Sequence, residues 1–370
     1  MAKKALITVD GAYHKIKKGF VTVDGVYKKI KKAFISIGGV WRPCWSGGEL
    51  AYYGTITSLS LPRYCLAATT IGNYALFGGG YYSGATDRVD AYDKTLTRSV
   101  ASTITTNRCY LAAGTVGDYA LFAGGAKNTA TSTTRYKETI AYDKALTKST
   151  PTALSEEKSQ HASASVGDYL LFGGGYVNKT SVNAYNLSLT RSSTAQAMTG
   201  GYGLAGVSIS GYALFGGGRK NTVYSSEVVS YDKSLTRTVL TSLSASRYNL
   251  AAASVGKYAL FGGGYPNSTT VDAYDESLTR TNPTALSVGR EKIASTSVGN
   301  YALFGGGYAN EDGAKTVEVY DASLTRTTQT GLSESTYSLA ATTIGGYALF
   351  GGGFNGGSNV RDSVNVYTVA

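Results

Sequence analysis

The side chains that could do chemistry in this sequence are few and dispersed. Two histidines stand at His14 and His161, and three cysteines at Cys44, Cys65 and Cys109, with no Cys-x-x-Cys pair of zinc spacing. A metal centre or a nucleophile-base pair needs such groups brought together. Histidines in two unrelated contexts do not predict that, so neither metal nor cofactor is expected. No Gly-x-Ser-x-Gly elbow occurs. Carboxylates do not recur as a pair that could act as acid and base across a glycosidic bond. Asp93, Asp143, Asp232, Asp275 and Asp321 each follow a tyrosine in five copies of one phrase, which marks a turn role. Asn310-Glu311-Asp312-Gly313 offers oxygens but lacks calcium-loop spacing and reads as a turn. The glycine clusters are never followed by Gly-Lys-Ser/Thr, so they are structural rather than phosphate-binding.

These residues are distributed by a repeat. Tyr-Ala-Leu-Phe-Gly-Gly-Gly begins at Tyr74 and returns, slightly varied, at Tyr119, Tyr169, Tyr212, Tyr258, Tyr301 and Tyr347, at spacings of 45, 50, 43, 46, 43 and 46 residues. That period suits four-stranded propeller blades. In one unit, Leu250 to Val255 is small and apolar, as an innermost strand must be. Tyr258 to Phe261 is a buried run ending at the glycines, a third strand closes on Tyr274-Asp275, and a polar fourth runs from Leu278 to Ser287. The last repeat stops after its third strand. Thr57-Ser58-Leu59-Ser60 matches Thr330-Gly331-Leu332-Ser333, so residues from about Tyr52 to Ser60 are expected to complete the seventh blade and remove two sheet edges.

Glycines closing the second strand and Tyr-Asp closing the third resemble the kelch repeat over residues 51–370. The tryptophan that follows in kelch units is absent, with Leu235, for example, near its place. The resemblance implies an all-β, seven-bladed kelch-like β-propeller, its ring closed by an N-terminal outer strand and preceded by short β-hairpin repeats. Among such propellers, galactose oxidase holds copper with two histidines and tyrosines, a set that His14 and His161 do not reproduce. His161 replaces an inner-strand leucine and is expected to be packed or to line the channel. The Ser-x-Asp-x-Gly-x-Thr-Trp boxes of sialidase propellers are also missing.

The net charge of +11 would suggest a nucleic-acid partner, but it is unevenly placed. Residues 1–45 hold ten Lys/Arg against two Asp/Glu, while the rest hold 25 against 22, leaving only +3 there. Nucleic acid is therefore not an expected partner of the propeller. The basic segment repeats every 14 residues (ITVDGAYHKIKKGF, VTVDGVYKKIKKAF, ISIGGVWRPCW), with hairpin-turn pairs at Asp10-Gly11, Asp24-Gly25 and Gly38-Gly39. Its Gly-Gly-Val-Trp-Arg-Pro phrase resembles N-terminal repeats of bacteriophage and prophage tail and baseplate-associated proteins. The expected organisation is a basic attachment segment over 1–46, a linker over 47–50 and the propeller over 51–370. No signal-peptide core or membrane-length apolar run appears, so neither secretion by that route nor membrane insertion is expected.

The turns of the repeat barely change between copies, whereas the segments after the glycines vary in length and chemistry. In a propeller those segments, with the ones leading into each blade, share one face. Tyr81, Tyr82, Tyr136, Tyr176, Tyr224, Tyr265, Tyr308 and Phe354 lie there among Asn178, Asn221, Asn267, Asn310, Arg88, Arg135, Arg219 and Arg361. The lead-in segments add Arg63, Tyr64, Arg108, Tyr110, Tyr202, Arg247, Tyr248, Arg290 and Tyr337. Tyrosine gives large amphipathic contact at low entropic cost, and amides and guanidinium groups suit sugar hydroxyls. The expectation is a non-enzymatic receptor-binding or adhesion module of a phage or prophage tail. It would recognise a bacterial surface glycan or protein, bind a virion tail or baseplate protein through residues 1–46, and be made in the bacterial cytoplasm for a virion tail or tail-like particle. A homo-oligomer is compatible with this. A polysaccharide-degrading propeller and a structural scaffold are the alternatives.

Overall fold

The computed structural model describes residues 48–128, 134–193, 198, 201–309, 312–357 and 359–369, together with the backbone of six strands between residues 6 and 45. Seven four-stranded antiparallel sheets follow one another in chain order. Blade 1 is Ala67–Ile71, Tyr74–Gly78, Val89–Asp93 and Arg98–Val100, from the axis outwards. Blade 7 is Ala340–Ile344, Tyr347–Gly351 and Val364–Val369, completed by Leu50–Ile56 from the other end of the chain. The ring is thus closed by the N-terminal strand, as the missing fourth strand predicts. The molecule is a seven-bladed β-propeller. The Leu-Thr-Arg phrase starts its strand later than the alternation suggests: Leu278 turns with a φ of 62°, and the outer strand of blade 5 begins at Arg280.

Packing between blades explains why the repeat is so strict. The phenylalanines of the second strands are buried. A Cβ added to Gly305 would lie 2.7 Å from the Phe350 ring of the next blade, so that glycine makes room for the neighbour's aromatic. The following Gly306 has a φ of 68°, which L side chains rarely adopt. The third-strand tyrosines are also buried and reach back one blade. Tyr367 donates to the Thr330 carbonyl at 2.7 Å, and Tyr92 makes the same bond to Thr57 across the ring closure at 2.8 Å. The tyrosine-linked aspartates cap turns. Asp93, Asp275 and Asp321 each accept a hydroxyl bond, from Thr95, Ser277 and Ser323, and two backbone N–H bonds, and the hydroxyl bond first and the backbone bonds after it lower their carboxyl pKa.

Around the axis, the fourth residue of each inner strand is a hydroxyl: Thr70, Thr115, Ser165, Ser208, Ser254, Ser297 and Thr343. Thr343 and Ser297 each donate to the carbonyl at the same position of the preceding blade, at 2.6 Å. The six N-terminal strands pair as three hairpins, Leu6–Val9 with Ala12–Lys15, Phe20–Val23 with Val26–Lys29, and Ala33–Ile37 with Val40–Trp45. Their turn pairs lie outside the described residues.

Candidate binding pocket on the variable face

The segment leading into each blade ends in one residue with left-handed backbone: Cys65, Tyr110, Gln160, Gly203, Asn249, Lys292 and Ser338, all with φ between 52° and 65°. Each donates its N–H to the carbonyl of its equivalent in the preceding blade, at 2.6 to 3.0 Å. Seven such bonds close a circle around the axis. Holding six non-glycine residues in this region costs conformational energy, which the closed ring of backbone bonds offsets. The backbone there is therefore fixed, while the side chains follow no common type.

A second tier sits above this ring. The residue before each ring position pairs, in most blades, with the residue after the glycines: Tyr64 with Tyr81, Tyr202 with Arg219, Tyr248 with Tyr265, Glu291 with Tyr308 and Tyr337 with Phe354. In blade 3, Tyr176 N–H donates to Ser159 at 2.9 Å. The aromatic rings of this tier touch one another. Tyr64 stacks on Phe354 at 5.0 Å, Tyr224 stacks on Tyr248 at 5.3 Å, and Tyr176 meets Tyr202 at 4.9 Å. Together the tiers enclose an axial pocket of about 880 Å³.

Several of the anticipated residues converge here: Tyr64, Tyr176, Arg219, Asn221, Tyr248 and Phe354 line the pocket. Tyr81, Tyr224, Tyr265 and Tyr308 pack against them as outer aromatics. Arg135 lies over the Tyr176 ring at 4.6 Å, and Tyr136 carries the Arg108 guanidinium at 5.0 Å. Asn178 is bonded to Asn221. Tyr82, Arg88 and Asn267 are exposed away from the pocket lining, and Arg361 pairs with Glu334 at 2.8 Å. Asn310 lies outside the described residues.

The four anticipated lead-in arginines, Arg63, Arg108, Arg247 and Arg290, are corrected: all are buried, and Arg108 donates to the Gly124 and Glu138 carbonyls. Arg63 and Arg247 are fully buried, paired at 2.7 Å with Asp90 and Asp272, and Arg290 pairs likewise with Glu318 at 2.6 Å. Each of these three also donates to a carbonyl at the end of the second strand, and Asp272 accepts from the Ser244 N–H. They bolt lead-in segments to the blades and cannot reach a ligand. Blades 4 and 7 lack both charges, with Gly201 and Thr336 for the cation and Val229 and Asn365 for the anion, whereas blades 2 and 3, with Ile140 and Asn183 at the anion position, keep a buried cation, Arg108 and Lys158, that donates to backbone carbonyls.

Sequence reasoning missed five ring residues, Cys65, Gln160, Asn249, Lys292 and Ser338. The available signal was positional: each stands two residues before the alanine that opens an inner strand. Burial pushes the Tyr64 hydroxyl up to about 12 and the Cys65 thiol up to about 11, so both stay protonated at neutral pH. Among the described residues no carboxylate lines the pocket. His161 follows Gln160 of the floor ring and is among the residues lining the pocket. It is 7% exposed and packs against Phe172 at 5.8 Å, and neither ring nitrogen has a hydrogen-bond partner. Burial lowers its pKa to about 3, so it is neutral and packed in place of leucine.

No family model matches the chain, and no curated protein matches it. Among solved structures, that of YjhT superposes with a TM-score of 0.55 at 12% identity, covering 84% of this chain and 99% of that one. At that identity the likeness concerns the propeller fold alone.

Proposed function

We propose that the protein is a non-enzymatic binding module that seats a bacterial surface glycan or protein in the axial pocket. In this reading it serves as a receptor-binding or adhesion component of a phage or prophage tail, fixed to the particle through residues 1–46. The observation that carries the reading is the pocket itself: aromatic walls over a ring whose backbone is held constant while its side chains differ in every blade. Such an arrangement leaves recognition free to change without disturbing the fold.

Polarity of the chain supports the attachment half. Leu50 pairs with Val369 beside the Gly345-Gly346 turn, and Ile56 pairs with Val364 next to the pocket face. The strand that follows the hairpins therefore enters the ring on the face opposite the pocket. Many copies per particle would bind by avidity without tight single sites.

Labelled full-length protein incubated with intact cells and isolated envelope material, with released sugars assayed alongside, tests the proposal. Saturable binding without sugar release is expected. Release of oligosaccharide would make it an enzyme, and no binding across a broad panel would leave a scaffold.

A further inference from the structure

Two cations face the pocket and no carboxylate lines it among the described residues. Lys292 belongs to the floor ring. Its ammonium lies 5.5 and 5.4 Å from the Tyr308 and Tyr337 ring centres, against the electron-rich faces. The nearest acid, Glu291, is 4.0 Å away at the limit of ion pairing, is 8% exposed, and already accepts from Asn249 at 2.8 Å. Arg219 stands on the wall. Its Nε donates to the Asn221 carbonyl at 2.9 Å, and its guanidinium lies 5.7 and 5.6 Å from the Tyr224 and Tyr248 rings. Three buried cations of this fold, Arg63, Arg247 and Arg290, carry a carboxylate partner at 2.6 to 2.7 Å, and two more, Arg108 and Lys158, spend their donors on backbone carbonyls with an acid at 3.9 and 3.4 Å. Lys292 and Arg219 are held in place by aromatic faces and a carbonyl instead, with their charge turned to the pocket.

We propose that the group seated in the pocket carries negative charge, as a carboxylate or a phosphate, received by Lys292 from the floor and Arg219 from the wall. The proposal rests on the binding reading above and sharpens it from a hydroxyl-rich surface to an acidic glycan end. Rings on either side supply the apolar contact, and the neutral amides Gln160 and Asn221 supply hydrogen bonds to hydroxyls.

The test is retention of the full chain on immobilised neutral, carboxylated and phosphorylated glycans, with K292Q, R219Q and the double variant beside it. Retention on acidic glycans is expected, carboxylate and phosphate arms telling the two sources apart. Each single substitution should weaken it by about ten- to hundredfold, the range of a charge-assisted hydrogen bond. Retention should also fall as NaCl rises, a readout that needs no variant. Equal retention on neutral glycans, or insensitivity to both substitutions and to salt, would overturn the proposal while leaving the binding reading intact. Retention on no glycan at all would remove both this proposal and the glycan form of that reading.

Discussion

At the residue scale, buried polar groups separate scaffold from site. Arg247 and Asp272 are wholly buried and mutually paired, with the partly exposed Arg280 a second cation 3.6 Å from Asp272, so R247M leaves the buried carboxylate to Arg280 alone and should cost about 3 kcal/mol in denaturant unfolding. R247M combined with D272L should recover most of that loss, because both charges then leave together, as they have in blade 4. Retained binding by that double variant would confirm that Arg247 is structural. His161 makes the opposite case. Its imidazole is buried without partners, so H161L should stabilise the fold by about 1–3 kcal/mol. The folded state holds this imidazole neutral down to about pH 3, while the unfolded chain protonates it near 6.5. Wild-type stability must therefore fall as pH drops between those values, by up to about 1.4 kcal/mol per unit from this group, and H161L should lose that component of the slope. Parallel pH dependence in the two proteins would contradict this.

At the element scale, the strand ends carry both the packing and the site. G305A places a methyl against the Phe350 ring and should cost about 1–3 kcal/mol, read as a shift in unfolding midpoint. Blade 2 already carries Ala123 at that position. The blades were legible because their positions recur in residue type: the phenylalanine that fills the preceding blade's glycine, and the tyrosine that reaches back to a carbonyl. The floor ring was not legible for the converse reason. Cys65, Gln160, Asn249, Lys292 and Ser338 share a backbone conformation and no side-chain chemistry, and the bonds that align them span whole blades. Arg63 and Arg247 misled because each stands beside a pocket tyrosine. Their partners Asp90 and Asp272 sit 27 and 25 residues away in strands whose alternation reads as ordinary.

At the scale of the whole molecule, the ring depends on seven residues that precede the first repeat. Leu50–Ile56 covers the edge of blade 7, with Tyr52 donating to Asn365 at 2.9 Å and stacking near Tyr367 at 5.1 Å. Deleting residues 1–46 should leave the propeller's thermal transition nearly unchanged, whereas deleting 1–56 bares the Val364–Val369 edge and should lower Tm by about 10 °C or more. Equal stability of the two truncations would refute closure by that strand. The same strand joins the hairpins to the turn face, leaving the pocket on the other. The most direct test of this account is saturation binding of the full chain to bacterial envelope material, compared with Y248A in the pocket wall and Y82A on the same face outside the lining. Saturable binding is expected, abolished or weakened at least about tenfold by Y248A and unchanged in Y82A. Binding unaffected by Y248A, or lost equally in both variants, would contradict the pocket as the site.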